Sequence, residues 1–207
     1  MSRHHNPTVA GREAAGQALE REGVDKPDFV FMFASIGYEQ HSLVQAVRET
    51  TGGAPLSGCS VEGTIGEEDA DESNFSVVVM AISSEELQWI NGMATGLSAD
   101  SRAVGKRVAQ DLLPHLADES IGLFVFPDGM SVALDSFFAG NFDNFFAGLE
   151  ENLPSDRFLP LWGGGAGNDF NVKVPTYQYC DDEVVSRGSP TRCSQVRHEL
   201  VGLSATA

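Results

Sequence analysis

Lysine occurs only at positions 26, 106 and 173, and the thirteen basic residues face thirty acidic ones, for a net charge of −17. Binding to nucleic acid begins with a basic face that neutralises phosphates, so this balance argues against nucleic acid and, for the same reason, against an anionic membrane surface. Cysteine is scarce as well. Cys59, Cys180 and Cys193 form an odd set without CxxC spacing, which indicates neither a zinc site nor a disulfide framework. His4, His5, His41, His115 and His198 show no metal-ligand spacing. No apolar run approaches the roughly eighteen residues of a membrane helix, and the start Met1-Ser2-Arg3-His4-His5-Asn6-Pro7 lacks the apolar core of a signal peptide. The expectation is a cytoplasmic protein without membrane insertion.

The 42% apolar content of the 207 residues is enough for a core, with a single large domain as the default. The acidic clusters Glu67-Glu68-Asp69-Ala70-Asp71-Glu72 and Asp181-Asp182-Glu183 read as solvated loops. A lysine-poor acidic surface fits work in high salt, where screening removes self-repulsion.

The most unusual stretch is Leu159-Pro160-Leu161-Trp162-Gly163-Gly164-Gly165-Ala166-Gly167-Asn168-Asp169, with four glycines in five positions after an apolar run. Glycine serves where the chain needs positive φ or where something must approach the backbone, and a cluster of four carries a large entropy cost. The stretch therefore reads as a strand end opening into a ligand-facing loop. About a hundred residues earlier, Ala54-Pro55-Leu56-Ser57-Gly58-Cys59-Ser60-Val61-Glu62-Gly63 repeats the theme of a proline, a short apolar segment and small residues.

Each loop ends a similar unit. Phe29 to Phe33 is a continuous apolar run, Ala34 to Tyr38 turns, Glu39 to Thr51 reads helical, and Pro55 introduces the first loop. Ile121 to Phe126, Pro127 to Met130, Leu134 to Asn152 and Pro160 repeat that order. This predicts an α/β fold built on an internally duplicated strand-helix-strand unit, with mixed sheets and helices on their faces.

Residues 8 to 22 read as an Ala-rich helix with a Gly23 stop, packing through Ala14, Ala18 and Leu19 and weakened by Gly11 and Gly16. Asn74 to Ile82 and Leu87 to Thr95 read as two strands of a hairpin. Asp100 to Leu113 reads as a helix capped by Asp100. Val172 to Tyr179 can be a strand, but Ser186 to His198 has neither periodicity. A duplicated domain should close with an apolar strand matching Val77 to Ile82, and none is visible. The predicted division is residues 1–185 as the domain and 186–207 as an irregular tail, poorly ordered from about Arg187 onward.

The glycine loop resembles a phosphate nest but lacks the lysine and Ser/Thr of a nucleotide loop, and it can equally be a tight turn between packed strands. Cys59 can be read as a nucleophile on a tight turn or as a small residue shaping a pocket floor. Ser57 and Ser60 can hydrogen-bond a ligand or cap the turn. In parallel sheets ligands collect beyond the carboxyl ends of the strands, where Ser35, Gly58, Asp128 and Gly163 lie if the duplication holds. A carboxylate at Asp128 would pair with an ammonium group and the bare N–H groups of the glycine loop with a carboxylate, which suits an amino acid. Asn168 and Asp169 complete such a pocket or cap the following turn.

In this order, Pro27 to Ser35, Ala54 to Gly63, Phe124 to Gly129 and Pro160 to Asp169 resemble the N-terminal half of a FIST domain, over roughly residues 8 to 180. The resemblance implies a sensory input module of prokaryotic signal transduction, without catalysis, that binds a small metabolite such as an amino acid and couples to a signalling output protein or to a C-terminal FIST half. The family motif's Gly58-Cys59-Ser60 and Gly164 to Asp169 positions match here, and with the residues singled out above the candidate ligand-binding set is Ser35, Ser57, Gly58, Cys59, Ser60, Asp128, Gly163, Gly164, Gly165, Gly167, Asn168 and Asp169. No cofactor is expected. Two alternatives remain open: a haem-containing nitric oxide sensor with His41 or His115 as axial ligand, and an enzyme using Cys59.

Overall fold

The computed structural model describes residues 1–67, 69–116, 120–129, 141–155, 159–169, 171, 173–186 and 201–205. Along the chain these form α1 (Pro7–Glu22), β1 (Phe29–Ala34), α2 (Gln40–Thr50), β2 (Leu56–Ser60), β3 (Thr64–Ile65), β4 (Ala70–Asp71), β5 (Val77–Ile82) and β6 (Leu87–Ile90). Then follow α3 (Ser101–Leu112), β7 (Ser120–Val125), α4 (Asn141–Glu150), β8 (Leu161–Gly163), β9 (Tyr177–Cys180), β10 (Glu183–Ser186) and β11 (Val201–Ala205). Among the described residues no helix is long and apolar enough to cross a membrane.

Local signals fix the helix ends. The Asn6 side chain accepts the Val9 N–H ahead of Pro7, and Gly23 at φ 73° donates back to the Leu19 carbonyl, so α1 starts and stops within a residue of its predicted limits. Glu39 caps α2 by accepting from the His41 and Ser42 N–H groups, which holds its carboxyl below the usual range, the Ser42 bonds contributing most. Asp100 caps α3 through the Ala103 N–H.

The chain divides into two compact units. The first comprises Met1–Glu85 with Ala166–Ser189. Its sheet has the order β10-β9-β2-β1-β5, with β2 parallel to β1 and the other neighbours antiparallel. The continuous apolar run of β1 suits a strand buried on both faces. Val30, Met32 and Ala34 join Leu56, Val77, Val79 and Tyr179 under the helices, against Ala10 and Ala14 of α1 and Leu43, Val44 and Val47 of α2. Phe29, Phe31 and Phe33 alternate to the other face, where Phe31 stacks on Phe33 at 6.3 Å. At the far edge Ser2 exchanges two backbone bonds with Val77, at 2.9 and 3.0 Å. Arg3 binds both Asp69 and Asp71, and Arg21 binds Glu67 at 2.6 Å. Glu67, Asp69 and Glu72 of the first acidic cluster are thus exposed, as expected, and Glu67, Asp69 and the half-buried Asp71 are tied down by arginines.

The second unit comprises Glu86–Gly165 with Pro190–Ala207. Its sheet has the order β6-β11-β7-β8, with β8 parallel to β7 and β11 antiparallel to both β7 and β6. Leu123 and Val125 pack with Val104, Val108 and Leu112 of α3 and Phe145 and Leu149 of α4.

The duplication is present at atomic detail. The Val30 N–H donates to the Pro55 carbonyl at 2.8 Å, and the Leu123 N–H donates to the Pro160 carbonyl at 2.9 Å. Three residues after each proline stands a glycine with positive φ, Gly58 at 150° and Gly163 at 137°. A Cβ on Gly58 would lie 1.8 Å from the Met32 carbonyl oxygen, and one on Gly163 would lie 1.9 Å from that of Val125. The repeat also takes in the preceding helices. A Cβ on Gly11 would meet Leu43 O and Val47 N, and one on Gly105 would meet Phe145 O and Leu149 N. Both helix pairs therefore close through a glycine, and each unit is helix-strand-helix-strand, one helix more than the sequence repeat shows. Gly11, expected to weaken α1, is the contact point that lets α2 approach.

Two expectations change. Residues 74–82 and 87–95 do not form a hairpin: β5 pairs along all of β1 in the first sheet, while β6 pairs with β11 in the second. Six-residue pairing on a buried apolar neighbour outweighs a local turn. The apolar closing strand that the tail lacks in sequence is supplied by β11, which lies antiparallel to β7 as β5 lies to β1. Its pattern Val-Gly-Leu-Ser-Ala alternates apolar and small residues instead of forming a run. Residues 187–200 lie outside the described residues. The second half of the helix expected over Leu134 to Asn152 forms α4, and residues 130–140 are also outside the description.

Candidate functional site

Both parallel strand pairs direct their carboxyl ends into short-side-chain loops, the place where open α/β sheets collect ligands. In the first unit all five residues of β2 are buried. The Ser60 hydroxyl donates to the Gly167 carbonyl at 2.7 Å and accepts the Tyr177 N–H at 2.9 Å, while the Gly167 N–H donates to the Ser60 carbonyl at 2.8 Å. Ser60 thereby joins the two loops that the sequence singles out. Gly167 is bare because a Cβ there would lie 2.6 Å from Cγ of Glu62, whose position the sequence reading missed.

Ser35 is fully buried and its hydroxyl is committed: it donates to the Ser76 carbonyl at 3.2 Å and accepts the Ser76 N–H at 2.8 Å. Beside it, the Gln40 amide donates to the Ser35 and Tyr38 carbonyls and its oxygen accepts the Tyr179 hydroxyl at 2.6 Å. This buried polar knot locks the end of β1, and its only sequence signal is a glutamine at the first position of an otherwise amphipathic helix. The Tyr38 hydroxyl is buried without a partner; burial, with the charges of Asp71 and Glu13, pushes its pKa up to about 12.

Ser57 and Cys59 lie on the face of β2 opposite the helices, Ser57 between Phe31 and Cys180, Cys59 between Phe33 and Gln178. The Ser57 hydroxyl is buried without a partner. Cys59 and Cys180 are both buried and not joined in a disulfide. Asn168 binds the Asn171 and Val174 carbonyls through its amide nitrogen, at 3.0 and 2.6 Å, and leaves its buried oxygen unpartnered. Asp169 follows in the left-handed region at φ 56° and is exposed.

The second unit brings together the remaining site residues. Gly163, Gly164 and Gly165 are exposed, whereas their counterparts Gly58, Cys59 and Ser60 are all buried. A Cβ on Gly165 would lie 3.2 Å from Cα of Gly129 and 3.3 Å from the Phe142 ring, so the glycine loop rests on the Asp128-Gly129 turn. Gly129 and Phe142 are the additions here, and the first was legible only as half of a turn dipeptide. Around Gly164 a Cβ would meet nothing within 4 Å, and its φ is not positive. Neither packing nor backbone geometry demands glycine at that position.

The histidines offered as haem ligands do not suit that role. The His41 side chain is 71% exposed beside Glu39, and His115 is exposed on a short 3-10 turn, so neither stands in an apolar slot.

Residues 28–191 match the family described as FIST N domain. No curated protein matches the chain.

Proposed function

We propose, on the premise that the chain belongs to the FIST family of sensory signal-transduction domains, that it is a non-catalytic sensor that binds a small metabolite of the amino acid class at the carboxyl end of the β7–β8 pair. The observation that carries this reading is Gly164. It is a glycine that neither sterics nor φ requires, in an exposed loop whose counterpart in the first unit is buried. The Gly164 N–H is spent on the Val125 carbonyl at 3.2 Å, so a ligand carboxylate would approach the bare backbone around Gly164 and Gly165. The neighbouring Asp128-Gly129 turn packs on the same loop through Gly129, and its aspartate has the sign that an ammonium group seeks. Such binding signals only if the ligand prefers one of two conformations, so the output partner would read a population shift.

The test is a thermal-shift screen against amino acids and related metabolites, comparing the native chain with Gly164→Val. A ligand at a hundred times its dissociation constant raises stability by about 2.7 kcal/mol. Because the space around Gly164 is open, Gly164→Val should leave the ligand-free melting temperature unchanged and abolish the ligand-induced rise. A hit that survives the substitution would place the ligand elsewhere.

A further inference from the structure

The two parallel pairs differ in what covers their outer edges. On β2 the residues that face away from β1 are Leu56 and Gly58. The Leu56 N–H donates to the Asp181 carboxylate at 3.1 Å, the Leu56 carbonyl accepts the Asp181 N–H at 2.8 Å, and Gly58 pairs with Tyr179. The β9–β10 hairpin thus closes the edge. On β8 the bonds from Leu123 to Pro160 and from Gly164 to Val125 turn Pro160 and Gly164 toward β7, so Leu161 and Gly163 are the outward residues. Among the described residues nothing pairs with them, and β8 ends its sheet. Beside them Trp162 is 44% exposed, its ring laid over Gly122 and 5.3 Å from the Phe124 ring centre.

We propose that β8 is a docking edge for an antiparallel β-hairpin of a partner polypeptide, added as β9–β10 is added to β2. Main-chain bonds to Leu161 and Gly163 would supply the binding, which is strand addition to an open sheet edge. The duplication also specifies the chemistry of the incoming strand. Tyr179-Cys180-Asp181 lies opposite Gly58, Ser57 and Leu56. The partner strand carries an aromatic residue opposite Gly163, a small residue opposite Trp162, and a turn Asp whose carboxylate takes the Leu161 N–H. The hairpin would pair with main-chain groups of Leu161 and Gly163, the latter shared with the glycine loop, whereas the sensor reading rests on Gly164, so failure of the docking test would leave that reading untouched.

The probe is the chain's own hairpin. A second copy of Thr176–Ser186 is appended after Ala207 of the full chain through twelve Gly/Ser residues, whose r.m.s. length is about 19 Å. The attachment follows β11, two strands from β8 in the sheet order and so about 10 Å away. Such a tether supplies the hairpin at about millimolar effective concentration. Hydrogen exchange of the Leu161 and Gly163 amides is expected to slow at least tenfold relative to a chain bearing the same tail in scrambled order. Asp181→Ala in the appended copy should undo the protection at Leu161 without touching the host fold. Equal exchange in the native-order and scrambled chains would overturn the proposal. So would amides in the unmodified protein already as protected as those of Leu56 and Gly58; sedimentation would then tell a second copy from the chain's own residues as the occupant.

Discussion

The Met32 carbonyl oxygen occupies the space a Cβ on Gly58 would need, the two positions being 1.8 Å apart. Strands β1 and β2 therefore pair closely only because residue 58 has no side chain, and Gly163 stands in the same relation to Val125. Gly58→Ala and Gly163→Ala are each expected to destabilise their unit by about 3 kcal/mol, combining strain at positive φ with a carbonyl collision. Gly164→Ala, one residue on, should change stability by less than about 0.5 kcal/mol. Denaturant midpoints of the three variants check the contrast.

Tyr38 presents a hydroxyl that is buried and unpartnered. Its removal in Tyr38→Phe is expected to stabilise the protein by about 1 kcal/mol, or about 2–4 °C in melting temperature. The same group sets an alkaline limit. Its folded-state pKa of about 12 lies above the ordinary 10.0, so its neutral form is favoured by folding. That contribution is whole below pH 10 and is lost as pH rises from 10 through 12. Melting curves over this range should fall more steeply for the native protein than for Tyr38→Phe.

Tyr179 and Gln40 test the opposite case, a buried pair that is satisfied at 2.6 Å. Tyr179→Phe leaves the Gln40 oxygen without its donor and is expected to cost about 1–3 kcal/mol. A double variant with Gln40→Leu should recover part of that loss, which a double-mutant cycle would show.

Asp71 ties the β3–β4 turn to the N-terminal segment. Its carboxyl is held down to about 2, first by the Ser73 hydroxyl and then by the Arg3 guanidinium. A depressed folded-state pKa gives stability that is complete above the ordinary 3.8 and disappears as pH falls through about 2. Protection factors of the Thr64 and Ile65 amides should fall across that window, and Arg3→Ala should raise its lower end.

The parts legible in sequence were those whose pattern is local. The run from Phe29 to Phe33, the cap Asp100, and the two proline-led loops each announce their structure within a few residues. Fold class and family followed from them. Partnership between distant strands was not legible: β10 and β11 are short, carry no continuous apolar run, and exist because β9 and β7 offer edges to pair with. The helix glycines misled for a related reason. Gly11 carries a propensity cost that is visible locally, while its value lies in the approach of α2, which no local window contains. For the candidate site, sequence grouped the two proline-led loops but could not separate Ser35 and Ser60, whose hydroxyls are spent on backbone partners, from Gly164, whose surroundings are open.

The bond between Leu56 and Asp181 joins residues 125 positions apart. During synthesis the β9–β10 hairpin emerges only after α3, β7, α4 and β8, so until then it is not there to cover the flank of β2. Contacts of such long range slow folding and prolong the life of an unpaired edge. The first sheet is sealed by residues 177–186, so a translation product that ends before them would carry a bare, sticky β2 at the edge of that sheet.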